Sequence, residues 1–187
     1  MTKNMSFEIA YNELESRMKG MAEQDGDVFL PNVKPIEQVD YVLISMEPSL
    51  GRWASSPEQA YAKVNDGFRN FVSSIEDFIV HFCVRQYLCK SGESYHITDI
   101  SKGAMLVETA GAARTQRYDQ WYGLLVEELD IVSKSGAKVI VFGNAVAKFL
   151  QRKSFPRPFT KVIHFSPLAG KARNDGLIGK ENLFLAF

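Results

Sequence analysis

The sequence predicts an α/β fold, a parallel sheet covered by helices on both faces, on three observations. Apolar, β-branched runs of strand length recur along the chain. Two of them, VDYVLISM at 39–46 and KVIVFG at 138–143, are nearly continuous in apolar character, as strands buried on both faces are. Segments with apolar residues at helical spacing lie between the runs, which is the alternation of a parallel sheet. With 187 residues, 45% hydrophobic and 24% charged, the chain suits one domain with a sizeable core and leaves little room for two.

The elements follow in order. Residues 5–24 read as a helix with Phe7, Tyr11, Leu14 and Met18 near one face, and residues 1–37 as a helical extension packed on a single domain that spans 1–187. FLPNVKP is turn-like. VDYVLISM (39–46) is the first buried strand, stopped by Pro48. PSLGRWASSPEQ is loop, and residues 58–90 have helical character with a break near Gly67. SYHITDI (94–100) is the second strand. SKGAMLVETAGAARTQ, rich in small residues, reads as a long loop. Residues 117–135 form a helix with Trp121, Leu124, Leu125 and Leu129 at helical spacing, and Gly136 is its C-cap candidate. KVIVFG is the third strand, NAVAKFLQRK the helix after it, and TKVIHF (160–165) the fourth strand.

Several classes are disfavoured. No apolar run reaches the ~18 residues that span a bilayer. The first residues mix acids and bases and lack the apolar centre of a signal peptide, so a cytoplasmic protein with no membrane partner is expected. Cys83 and Cys89 match no zinc or iron–sulfur spacing; two buried thiols, no metal and no cofactor are the expectation. Net charge is zero. Yet Lys148, Arg152, Lys153, Arg157, Lys161, Lys171 and Arg173 fall in a stretch without one acid. A local basic surface is what contact with a few phosphates needs, and a solvated basic face is the competing reading.

In open parallel sheets, ligands bind beyond the carboxyl ends of the strands. The residues there are Glu47-Pro48-Ser49, Asp99 to Lys102, Gly143-Asn144 and His164 to Leu168. In this order, the four strand ends resemble the uracil-DNA glycosylase superfamily. SMEPSLG stands where the family has motifs such as GQDPYH or GINPGL, with Pro48 and Leu50 in register. Ile97-Thr98-Asp99 with Lys102 is similar to ITN followed by a lysine three residues on, VIVFGNAVAKFL to the third strand running into a glycine and a helix, and HFSPL to HPSPL. The resemblance spans about residues 40–170. It implies a three-layer α/β/α sandwich with a short, mostly parallel four-stranded sheet. It also implies a monomeric, monofunctional DNA glycosylase that flips a pyrimidine nucleotide out of DNA and hydrolyses its N-glycosidic bond.

That chemistry develops positive charge on the sugar and negative charge on the departing base. It therefore needs a carboxylate or polar group with a water near the sugar, and a donor at the base oxygen. By the resemblance, Glu47 takes the first role, where the family more often carries Asp or Asn, and His164 takes the second. Ser166 would bind a phosphate, Pro167 fix the turn, and Leu168 fill the gap left in the stack; a core leucine is the competing reading of Leu168. Lys171 and Arg173 would meet phosphates, and Lys102 would face the rim of the site or DNA. Arg114 and Arg117 are further candidates for phosphate or for a substituent on the base. Phe68 leads Trp53, Tyr61 and Phe71 as candidates for the aromatic shelf under the base.

Two departures bear on the base. Asp99 stands where the family reads a pyrimidine with Asn, whose amide offers a donor and an acceptor. An ionised Asp99 offers acceptors alone. Protonated, it donates to the ring nitrogen of cytosine and accepts from the exocyclic amine, and buried acids are often held neutral. Ser49 stands where strict uracil enzymes carry a tyrosine that blocks the 5-position, and it leaves that space open. The expected base is therefore a 5-modified cytosine, as in hypermodified phage DNA, with a role in defence. Asn144 offers an amide that would restore the reading of uracil. The alternatives are an ordinary uracil enzyme of base-excision repair and a non-catalytic DNA-binding relative, since Glu47 and Asp99 both depart from pattern. A flavodoxin-like nucleotide binder is disfavoured because no glycine-rich phosphate loop opens the first helix.

Overall fold

The computed structural model describes residues 3–51, 53–104 and 107–165. The chain runs α1 (Lys3–Gln24), β1 (Val28–Phe29), β2 (Val39–Ser45), α2 (Pro57–Asn65), α3 (Ile75–Cys83) with a π-helical turn over Val84–Leu88, β3 (Tyr95–Asp99), β4 (Gly103–Ala104), α4 (Val107–Val132), β5 (Ser133–Phe142), α5 (Gly143–Arg152) and β6 (Phe159–Val162). The main sheet has the order β3-β2-β5-β6, with every neighbouring pair parallel. All four carboxyl ends therefore point to one edge.

Period-two alternation assigns the faces. Val42, Ile44, Val139 and Val141 pack with Tyr11 of α1, Leu125 and Leu129 of α4, and Val146 and Leu150 of α5. Leu43, Ile97, Ile140 and Phe142 point the other way, against Phe71, Val80 and Val84. Helices α1, α4 and α5 thus cover one face and α3 the other, which makes three layers. The near-continuous apolar runs of β2 and β5 follow, because both faces of those strands are dry. Trp121 of α4 is fully buried with Leu14, Met18 and Ala22 of α1, which seats the N-terminal helix. Cys83 and Cys89 are buried free thiols.

Two boundaries differ from expectation and one is met. First, residues 103–104 and 107–116 are not loop. Gly103-Ala104 pairs antiparallel with Val28-Phe29, and α4 begins at Val107. Glycine is required at 103, since a Cβ there would come within 2.5 Å of Asp27 Oδ2. Second, the helical stretch after residue 57 is broken near Gly67, as expected, into two helices. The chain turns at Gly67 with φ 95, and Ser74 restarts it with a capping box, donating its backbone N–H to Asp77 and accepting from Asp77 N–H. Third, α4 ends at Val132, and Gly136, with φ 79, sits in a bulge of β5 rather than at a helix cap. On β2 the register there runs from Val39 opposite Ser133 to Tyr41 opposite Lys138.

Candidate active site

Ser45, the last residue of β2, joins three strand ends. It lies opposite Asp99, the last residue of β3, and its Oγ is 3.3 Å from His164 Nε2, beyond β6. The loops past β2 and β3 stay tied, since Ile100 N–H reaches the carbonyls of Ser45 and Met46 at 3.1 and 3.0 Å. Glu47 follows two residues after Ser45. Residues 47, 99 and 164 are far apart in sequence and share one edge because the strands between them are parallel.

Glu47 is gripped from α4. Arg114 donates from Nε and Nη2 to Glu47 Oε1 at 3.0 and 2.7 Å, and the Tyr118 hydroxyl donates to Oε2. The side chain is only 7% exposed. Burial first, and Glu47 second, push the Tyr118 hydroxyl far above the usual phenol range, so Tyr118 is a donor at every working pH. The longer reach of glutamate is used: one oxygen meets the guanidinium and the other the phenol.

Asp99 is 1% exposed. Burial pushes its carboxyl up to about 7; Lys102 and a hydrogen bond from Asn70 oppose the shift, and Glu47 and Glu128 add to it. Asn70 Nδ2 donates to Asp99 Oδ2 at 2.6 Å.

His164 stacks on Phe165, with ring centroids 4.6 Å apart and planes 14° from parallel, and it meets Phe142 edge-on. Its Cβ lies where a side chain on Gly143 would come within 3.4 Å. Gly143, with φ 81, turns β5 directly into α5. Phe165 stands where the resemblance expects proline and fixes the histidine by ring packing.

Several expected residues lie elsewhere. Lys102 corrects the expectation of a DNA contact: it is 2% exposed, and its Nζ donates to Thr98 Oγ1, the Asp99 carbonyl and Glu128 Oε2 at 2.6, 2.6 and 2.8 Å. An ammonium with three internal acceptors has nothing left for phosphate. Arg117 is likewise buried, donating to Asp27. Phe68 stacks on Trp53 at 4.8 Å in a separate cluster with Leu30 and Leu50. Phe71 is the aromatic that meets Phe165, at 6.2 Å. Ser49 is exposed, and its carbonyl accepts from Trp53 Nε1 at 2.5 Å. Asn144 is exposed in the first turn of α5, and its Oδ1 accepts from Lys161 at 3.0 Å. Ser166, Pro167, Leu168, Lys171 and Arg173 lie outside the described residues.

Beneath the site lies a polar network that sequence reasoning missed. Glu128 of α4, fully buried, accepts from His96 at 3.0 Å, and from Thr98 and Lys102 at 2.8 Å each. Asn32 Nδ2 donates to Thr98 Oγ1 at 3.0 Å. The signal was present: Glu128 falls on the helical stripe of Trp121, Leu125 and Leu129, where an acid needs a buried partner.

Between α4 and α5, a cavity of about 300 Å³ is lined by Arg114, Tyr118, Lys148 and Arg152, among others. Two of these, Arg114 and Tyr118, are the residues that hold Glu47. No described helix is long and apolar enough to cross a membrane. No protein-family model matches the chain, and neither a curated protein nor a solved structure matches it.

Proposed function

We propose that the chain is a monofunctional DNA glycosylase of the uracil-DNA glycosylase kind, acting on a 5-modified cytosine. The observation that supports it most is the convergence at Ser45, which draws Glu47, Asp99 and His164 to one edge of a parallel sheet. These are the residue types that N-glycosidic hydrolysis of a flipped base requires: a carboxylate for the water and the sugar cation, a polar reader of the base edge, and a donor for the departing base.

In this reading, Arg114 and Tyr118 hold the Glu47 carboxylate in one orientation, so that it directs a water at the anomeric carbon and faces the cationic sugar. His164 donates to the base oxygen as the bond to the sugar breaks and charge flows into the ring. Asp99, its carboxyl raised to about 7 so that a share stays neutral near neutral pH, donates in that form to the ring nitrogen and accepts from the amine of cytosine. Exposed Ser49 leaves the 5-position open, which favours a substituted base, while the amide oxygen of Asn144 is already engaged by Lys161. The enzyme is a cytoplasmic monomer, and removal of a modified base from foreign DNA is its role.

The test is a base-release assay. Purified protein is incubated with duplexes carrying uracil, a thymine mismatch, 5-hydroxymethylcytosine or its glucosylated form, and abasic sites are cleaved with alkali. Release from a modified cytosine is expected, and Glu47→Ala and His164→Ala each lower it by about 10²-fold or more while DNA binding persists. Robust release of uracil with none from modified cytosine overturns the base assignment. Release from none of the duplexes overturns the enzyme.

A further inference from the structure

We infer that Asn70 is a specificity-determining residue of this site: it fixes which oxygen of the Asp99 carboxyl donates to the base and which accepts. The inference rests on the glycosylase reading and deepens it.

Asn70 Nδ2 donates to Asp99 Oδ2 at 2.6 Å. The amide cannot be turned round, because the backbone N–H of Phe71 donates to Asn70 Oδ1 at 3.0 Å, and an NH2 in that place would set donor against donor. The segment is held from outside as well. Asn70 N–H donates to the Pro31 carbonyl at 2.9 Å. The Phe71 carbonyl lies 2.8 Å from His81 Nε2, and His81 Nδ1 lies 2.7 Å from the Tyr95 hydroxyl. Phe71 itself has φ 60, a left-handed conformation that a bulky residue keeps only where its surroundings over-determine it.

Oδ2 therefore faces a donor in either protonation state, and a proton on Asp99 belongs on Oδ1. Among the described residues, Oδ1 has no hydrogen-bond partner. A neutral Asp99 thus presents a donor at Oδ1 and one remaining acceptor lone pair at Oδ2. A cytosine-type edge carries an acceptor ring nitrogen beside a donor amine. With the ring nitrogen opposite Oδ1, it pairs on two points. A uracil-type edge in the same position sets N–H against O–H and a carbonyl against a lone pair. A free carboxyl could serve either base by moving its proton across. Asn70 removes that freedom, and the polarity it leaves is the one that rejects uracil. Sites that leave polar groups unpaired with the wrong substrate discriminate strongly.

The experiment compares wild type with Asn70→Ala and Asn70→Ser in single-turnover base release at pH 6, from duplexes carrying 5-hydroxymethylcytosine or uracil, with thermal melting as the fold control. Serine keeps a small polar side chain but falls short of Asp99, so it removes the lock with least disturbance. Wild type favours the cytosine-type base, and both variants lower the ratio of the two rates at least about tenfold. Variants that slow both bases by the same factor overturn the inference and leave the glycosylase standing. A wild type that releases neither base overturns the glycosylase reading, and this inference with it.

Discussion

Asp99 and Glu128 are both buried carboxyls, at 1% and 0% exposure, and they behave oppositely. Burial pushes both up. Asp99 arrives at about 7, whereas Lys102 and His96 overrule burial at Glu128 and hold it at about 2. The difference lies in where the donors point. Glu128 takes three, from His96, Thr98 and Lys102. Lys102 also reaches Asp99, but at the backbone carbonyl, and the Asp99 carboxyl receives a single amide N–H. One acid is fully satisfied and anchors β3 to α4. The other, at the end of β3, has one oxygen with no hydrogen-bond partner among the described residues. Depth of burial does not set the charge state of a buried carboxyl; the supply of donors does.

The largest way to break the comparison is Lys102→Met. It strips the cation from Glu128 and leaves an uncompensated buried charge, at a cost of about 3–5 kcal/mol in urea unfolding. Adding Glu128→Leu to the same chain recovers most of the loss, because the pair is then replaced rather than broken.

The pH dependence of stability sharpens it next. Asp99 binds its proton more tightly folded than unfolded, with a carboxyl raised from 3.8 to about 7. Its favourable contribution is therefore complete below about pH 4, is lost as pH rises toward 7, and is absent above. At about 1.4 kcal/mol per unit, the loss is roughly 4 kcal/mol at most. Asp99→Asn removes this slope, so the stability difference between mutant and wild type widens in the mutant's favour from pH 4 to pH 8 in denaturant titrations. Glu128 gives the opposite sign: its carboxylate is held down, and that contribution fades only in strong acid.

The smallest effect is a control. Asp40 is also held at about 2, by backbone and side-chain bonds from Ser94 and by Lys134, but its pair with Lys134 is partly exposed. Lys134→Ala costs less than about 1 kcal/mol in the same unfolding assay. The same carboxyl value thus carries different energetic weight at the surface and in the core.

The layers were legible because β2 and β5 wear apolar residues on both faces, a pattern that only a covered parallel sheet needs. Strand-end position then brought Glu47, Asp99 and His164 into view before any geometry was known. Other features depended on contacts that no period encodes. Asn70 lies in an irregular stretch between α2 and α3, where no period places it beside Asp99. The strand-end motif puts Lys102 at the rim of the site or on DNA; what buries it is Glu128 of α4, an acceptor 26 residues away, beside the local acceptors Thr98 and Asp99. The start of α4 was hidden in a run of alanine, glycine and threonine that reads as loop until the helix is continued from 117.

The most direct test of the account is the pH profile of base release from duplex DNA carrying a modified cytosine, measured in single turnover between pH 5 and 9 for wild type and Asp99→Asn. Release is expected to fall as pH rises through about 7 in wild type, as Asp99 ionises and loses its donor, and the mutant is expected to lose that step. Release that is flat through pH 7 in wild type, or confined to uracil, would contradict it.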